Sequence, residues 1–319
     1  VYDIPVKPCV TYLLLGLFGV AGCASRDAAK PPVSANSGQS GPATIGSWTP
    51  VAPPALAETA TPLPRWASTI PDFPWLPGED TERSVSVGTD SDGWLVNAVE
   101  VEQPHDHIRI IEKHAQRRLN FTSQEMMDLV EAAAQTVAKA YPGSVLHLGN
   151  FSADGGGDIP YSVSHNSGRD ADLAFYSLDG AGKPAAPDDL MSFDSKGIAK
   201  HSGKKFRFDV ARNWKLIEGL VGHDNGQIQF VFVSKPLRRK LLEQAKKTKA
   251  PAAVVKRAKQ VLVQPGGALP HNDHFHIRLY CSRPDVGSGC VNQGTKHPSF
   301  DAHSDARTRA VSTAEKHLG

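Results

Sequence analysis

From His274 to Tyr280 polar and apolar residues alternate without a break, His-Phe-His-Ile-Arg-Leu-Tyr, and no other stretch limits the fold so tightly. Successive side chains of a strand point to opposite faces. The segment is therefore a half-buried strand, with Phe275, Ile277 and Leu279 in a core and His274, His276, Arg278 and Tyr280 on the other face. The rise of a strand sets the two imidazoles roughly 7 Å apart. One can bind a metal while its neighbour stands a water's reach from the same ion. Alternation does not say which of His274 and His276 is the ligand.

A second cluster reads Ser164-His165-Asn-Ser-Gly168-Arg169-Asp170-Ala-Asp172, a strand–turn–strand with Gly168 at the turn. Asp170 and Asp172 share a strand face, so spacing leaves open which carboxylate reaches a metal. Imidazole-plus-carboxylate sets suit zinc, and three protein ligands leave a fourth position for water, the mark of a catalytic site. Each cluster alone is weak, because an isolated His-x-His is more often an accident of surface or core. Pro104-His105-Asp106-His107 reads as a loop, and His114, His147, His201 and His223 as surface or core residues. Gly197 to Lys205 has the wrong spacing for a phosphate loop, with no Ser or Thr after the lysine. A Gly-x-Ser-x-Gly elbow, as in serine hydrolases, does not occur.

Length and charge set the surroundings of these clusters. A chain of 319 residues allows two domains, or one with a long attachment, and 24 prolines with 28 glycines favour the second. Lys and Arg number 35 against 33 Asp and Glu, net +2, which excludes the marked basic excess of a nucleic-acid protein. Leu13 to Val20 is apolar, far shorter than the ~20 residues of a membrane span but suited to a signal peptide. It runs into Val20-Ala21-Gly22-Cys23, similar to the bacterial lipobox, so residues 1–22 are expected to be a signal and Cys23 lipidated. Cys9 would leave with the signal, and an oxidising compartment would then bridge the remaining pair, Cys281 and Cys290. Ala24 after the cysteine resembles outer-membrane sorting. Residues 23–83 are rich in Pro, Ala, Ser and Thr and read as a disordered tether. Trp48, Trp66 and Trp75 are unusual in a spacer.

Ordered structure is expected over residues 84–292, with a polar tail over 293–319. Ser-Val-Ser-Val near Ser84 and Asp92-Gly93 before Trp94-Leu95-Val96 predict a hairpin. Thr122-Ser-Gln-Glu125 is a capping box, and Met127, Val130, Ala134, Val137 and Tyr141 predict a helix ending near Pro142-Gly143. Asp209 caps a second helix through Trp214, Ile217 and Leu220. Ile228 to Val233 reads as a buried strand, and Ser234-Lys-Pro236 opens a third helix. Strands interleaved with helices, without βαβ spacing, give an α+β fold with a small central antiparallel sheet flanked by helices.

Taken together, the two clusters form a pattern, Ser-His-x-x-Gly-x-x-x-Asp followed far downstream by His-x-His on a strand. It resembles the group uniting lysostaphin-type peptidases, D-Ala-D-Ala metallopeptidases and the hedgehog amino-terminal domain. Gly168-Arg-Asp-Ala-Asp172, His271-Asn-Asp-His274, Arg278-Leu-Tyr-Cys281 and the loop Phe151-Ser-Ala-Asp-Gly155-Gly-Gly resemble one branch, the penicillin-insensitive murein endopeptidases. The likeness runs from Ser84 to Cys290. It implies that His165, Asp172 and His276 bind zinc, that His274 is the general base, and that His271 assists near the substrate and the developing oxyanion. Asp170 is then a partner behind the ligands. The implied activity is metal-assisted hydrolysis of peptidoglycan cross-links between D-alanine and a diamino acid, without a covalent intermediate and so indifferent to penicillin. The implied place is the periplasm, on a membrane through Cys23. Rival readings are a D-Ala-D-Ala carboxypeptidase and a non-catalytic zinc-containing wall-binding protein; His274 and His271 speak against the latter. The Lys-rich stretch from Arg238 to Lys259 is a solvated helical face, or a weak hold on an anionic wall polymer.

Overall fold

A computed structural model describes residues 80–297, apart from 225 and 226. The expected signal, Cys23, the three tether tryptophans and the end of the tail lie outside the described residues. Two strands open the fold, β1 (Val85–Gly88) and β2 (Gly93–Val96), paired Val85 to Val96 and Gly88 to Gly93. The hairpin is the expected one, but Gly93 belongs to the second strand and the tip is Thr89 to Asp92. The Thr89 hydroxyl holds that tip, accepting from the amides of Ser91 and Asp92. Next come β3 (Val99–Glu100), β4 (Ile108–Ile110), α1 (Glu112–Ala115), β5 (Phe121–Thr122), α2 (Gln124–Ala140) and β6 (Leu146–Leu148). They are followed by β7 (Asp170–Ala174), β8 (Ser177–Leu178), β9 (Pro184–Ala185), β10 (Ile198–His201), β11 (Lys204–Phe208) and α3 (Val210–His223). The last elements are β12 (Ile228–Phe232), α4 (Lys235–Lys247), α5 (Ala252–Val261), β13 (Leu262–Val263), β14 (His274–Leu279) and α6 (Arg283–Gly287).

The helices begin where polar side chains satisfy free backbone amides. Ser123 caps α2, its hydroxyl accepting from the Met126 amide. The cap is thus one residue later than the sequence suggested, because the Thr122 hydroxyl donates instead to the Gly168 carbonyl at 3.0 Å. Asp209 caps α3 as expected, accepting from the amides of Ala211 and Arg212. Pro236 lies in the first turn of α4. Pro251 interrupts the basic stretch, which is two helices rather than one continuous face. Gly197 to Lys205 leads into the β10–β11 hairpin, whose tip has positive φ at Ser202 and Gly203.

The main sheet has the order β13-β12-β14-β7-β6-β4. Its inner pairs, β12–β14, β14–β7 and β6–β7, are antiparallel, while β12–β13 and β4–β6 are parallel. The class is α+β, with the expected antiparallel sheet confined to its middle. Phe275, Ile277 and Leu279 are buried on one face, in one core with Val130 and Val137 of α2, Leu216 and Leu220 of α3, Leu241 of α4 and Val261 of α5. Each such side chain stabilises the fold by about 1.5–3 kcal/mol relative to exposure. The opposite face of β14 and β7 is left to polar side chains.

Beyond β14 the sulfurs of Cys281 and Cys290 lie at bonding distance, 2.13 Å. The described chain continues past residue 292 and packs back on the sheet: Tyr280 Oη donates to the Thr295 carbonyl at 3.0 Å and Gln229 Nε2 to that of Gln293 at 2.6 Å. Among the described residues no helix is long and apolar enough to cross a membrane.

Candidate metal centre

Antiparallel pairing of β14 with β7 sets His276 opposite Asp172, Arg278 opposite Asp170 and His274 opposite Ala174. Directly opposed side chains share a face and touch. His165 enters from the loop before β7, not from a strand. Its φ of +82° is foreign to a strand, so the expected strand–turn–strand has no first strand. The Ser152 hydroxyl fixes this loop, donating to the His165 carbonyl and accepting from the Gly168 amide at 2.9 Å. Gly168 itself has φ +75°, and a Cβ there would lie 2.7 Å from the Leu95 side chain. At Gly156, in the preceding loop, a Cβ would meet the Asn166 carbonyl oxygen at 2.2 Å.

Three imidazoles converge on one carboxylate oxygen. Asp172 Oδ1 lies 3.4 Å from His165 Nε2, 3.3 Å from His276 Nδ1 and 3.2 Å from His274 Nε2. His165 is fully buried, yet both its ring nitrogens lack a hydrogen-bond partner, as does Asp172 Oδ1. Buried polar atoms without partners are costly and uncommon. A cation removes that cost. Two ligands about 2.0–2.1 Å from a tetrahedral zinc stand roughly 3.3 Å apart, which the Asp172 to His165 and His276 separations match. Among the described residues two trios of donors lie close enough to hold an ion: His165, Asp172 and His276, all buried, and His271, His274 and His276, more open.

His276 is common to both trios, and its tautomer is set. Its Nε2–H donates to Asp170 Oδ1 at 2.6 Å, which leaves the Nδ1 lone pair facing Asp172. Asp170 also accepts from Arg278 Nε at 2.7 Å, and Arg278 Nη1 reaches Asp90. The carboxylate beside His165 and His276 is thus Asp172, with Asp170 on the far side of the His276 ring. Burial opposes ionisation of Asp170, but Arg278 and His276 hold its pKa below the ordinary range. Burial likewise opposes charge on Asp172, and His274 and His165 hold it well down. The charge of Asp170 is met by Arg278, which leaves the Asp172 carboxylate, in a buried pocket rimmed by imidazoles, placed where it could hold a cation.

His274 stands between two carboxylates, with Nδ1 2.8 Å from Asp273 Oδ1. Burial lowers its pKa, but Asp172 and Asp273 outweigh that and push it up to about 10. His271 has φ +49°, and its Nδ1–H donates to the Leu269 carbonyl at 2.8 Å. Burial first, then the neighbouring His274 and His276, press its pKa down to about 4. Its neutral ring presents Nε2 as an acceptor. The Phe232 ring packs against two members of this row, with centroids 5.5 Å from His271 and 5.4 Å from His276.

Two supporting residues escaped the sequence reading. Asn150 Nδ2 donates to Asp172 Oδ2 at 3.4 Å, and its amide is oriented by Arg117 Nη1, which donates to Oδ1 at 2.9 Å. His114 Nδ1 stands 3.2 Å from the same oxygen, so it is a core residue beside the site. Asp273 lay in the quoted His-Asn-Asp-His run without a role. The other His-x-His takes no part: His105 Nε2 is 3.6 Å from Glu131, in a loop.

No curated protein matches the chain. The family model of the penicillin-insensitive murein endopeptidase matches residues 86–316, which span the hairpin, the loop of His165 and the strand of His274 and His276. The chain belongs to the penicillin-insensitive murein endopeptidase family.

Proposed function

We propose that this peptidase is a zinc-dependent DD-endopeptidase that hydrolyses the cross-link between D-alanine and a diamino acid in peptidoglycan. The observation that supports it best is the buried His165–Asp172–His276 trio, in which both His165 nitrogens and Asp172 Oδ1 lack a hydrogen-bond partner, beside the His274 imidazole with Asp273 2.8 Å from its Nδ1. His165 Nε2, Asp172 Oδ1 and His276 Nδ1 would hold the ion. When bound, zinc lowers the pKa of a coordinated water towards ~7 and polarises the scissile carbonyl. With a bound cation offsetting the Asp172 charge that raises its pKa, His274 would be a neutral ring that takes the proton of the attacking water at Nε2 and later delivers it to the leaving amine, with Asp273 beside Nδ1. Asp170 keeps His276 in the Nε2–H tautomer, and Arg278 keeps Asp170 charged. His271 lies at the substrate side of the row; tied to Leu269, its neutral ring accepts a hydrogen bond from a donor of the substrate or from the water. No side chain becomes acylated, which accounts for indifference to penicillin.

The proposal includes lipidation at Cys23 and a periplasmic site of action, with outer-membrane attachment, supported by the lipobox-like run and Ala24. Muropeptide mass spectrometry of sacculi treated with the zinc-loaded protein tests the reaction. Cross-linked dimers should become intact monomers, with chelator and not penicillin blocking the change. Dimers left whole while terminal D-alanine is clipped would make it a carboxypeptidase. Unchanged sacculi despite bound zinc would make it a wall-binding protein.

A further inference from the structure

From Lys235 to Lys259 the chain carries ten cations and one acid, Glu243. That segment is +9 in a chain of net +2, so everything else together is −7. Two of the ten are committed inside the fold: Arg238 Nε donates to the Leu262 carbonyl at 2.6 Å, and Arg257 pairs with Asp224 at 2.5 Å. The remaining eight, on α4, α5 and the turn between them, make no ion pair with the described residues, and all but the half-buried Lys240 are exposed. Helical spacing puts Lys235, Arg239 and Lys246 in one stripe, and Lys249 follows in the turn after α4. Lys256 and Lys259 face Lys246 and Lys249 across a cleft of about 580 Å³ floored by small apolar side chains, among them Ala250 and Val255. Cations near the C-terminus of α4 complement its dipole. Lys259 does the same in the last turn of α5, but that reason does not extend to Lys256.

We propose that the α4–α5 face docks on the surface of an anionic phospholipid bilayer. Seven of the eight free cations are lysines, whose long stems can lie along the apolar floor while the ammonium groups reach a layer of phosphates. A polymer of carboxylates would use the charge but not the apolar floor. The geometry also gives the contact a direction. α4 and α5 share the core on the Phe275–Ile277–Leu279 face of β14, while His274 and His276 occupy the other face. Docking through the helices turns the metal centre away from the lipid. This inference is independent of the peptidase reading, since it needs neither metal nor murein.

Co-sedimentation of the full chain, with Cys23→Ala so that no acyl chain contributes, tests it. The protein should pellet with vesicles of phosphatidylglycerol and phosphatidylcholine, not with phosphatidylcholine alone, and 0.5 M salt should release it. Replacing Lys246, Lys249, Lys256 and Lys259 together by Glu should weaken binding at least ~100-fold, and replacing them by Gln less so. Thermal unfolding and bound zinc should match the parent; if the Glu variant does not fold, the Gln variant decides. Equal binding to neutral vesicles, or no loss in the folded variants, would overturn the proposal. So would lysine-dependent binding to sacculi without binding to anionic vesicles, which would assign the face to a wall polymer.

Discussion

Asp172 is approached by three imidazoles, but its second oxygen is held by a single amide, that of Asn150. Groups that orient metal ligands are worth about 10–100-fold in metal affinity. Asn150→Ala should weaken zinc by that factor in a chelator competition and lower turnover at limiting zinc, with turnover largely restored at saturating zinc. An unchanged affinity would reduce Asn150 to packing. Asp273 acts on the base instead. Asp273→Asn removes a charge that raises the His274 pKa. The acidic limb of the pH–rate profile should move to lower pH while zinc content stays constant; an unmoved limb would show that Asp273 does not tune the base. At this scale spacing and residue type made the two clusters legible, while the choice of Asp172 over Asp170 and of His276 over His274 came from the family resemblance alone. Asn150 was not legible, since a lone asparagine carries no pattern and its value comes from Arg117, far along the chain.

Among the elements, β14 was the most readable, since both its faces have partners that enforce the alternation. The loop before β7 was misread as a strand because positive φ at His165 leaves no mark on residue type. The cap of α2 shifted by one residue for a tertiary reason, the pull of the Gly168 carbonyl on Thr122. Gly168 therefore ties helix, hairpin and metal loop together. Gly168→Ala sets a Cβ against Leu95 at positive φ, and strain of this kind costs of order 1–3 kcal/mol. Denaturant unfolding should show that loss, with weaker zinc binding alongside because His165 lies three residues upstream. Parent-like stability would mean the turn adopts another conformation.

For the molecule as a whole, alternation and capping were enough to give the α+β class. They did not give the parallel edges of the sheet, because β4 and β13 have only three and two residues. The packing of residues 293–297 was also hidden, as it depends on contacts with Gln229 and Tyr280. One global property follows from Glu125, which burial pushes above its ordinary pKa of 4.5, with the charge of Asp285 adding to the shift. A raised carboxyl makes the folded state hold its proton longer than the unfolded one. Its contribution to stability therefore falls as the pH rises from the unfolded pKa through the folded one. Glu125→Gln should be more stable than the parent at pH 7, with the difference vanishing below about pH 4. A variant equal to the parent at pH 7 would contradict the burial of that charge.

The central claim is that His165, Asp172 and His276 hold a zinc ion on which His274 acts as base. Its most direct test is to measure zinc per chain and cross-link cleavage on the same preparations of the parent, His276→Ala and His274→Ala. The parent should hold one zinc and cut; His276→Ala should lose both. His274→Ala should keep its zinc while turnover falls at least ~100-fold, as removal of a general base requires. Cleavage with full zinc in His276→Ala, or normal turnover in His274→Ala, would contradict the account.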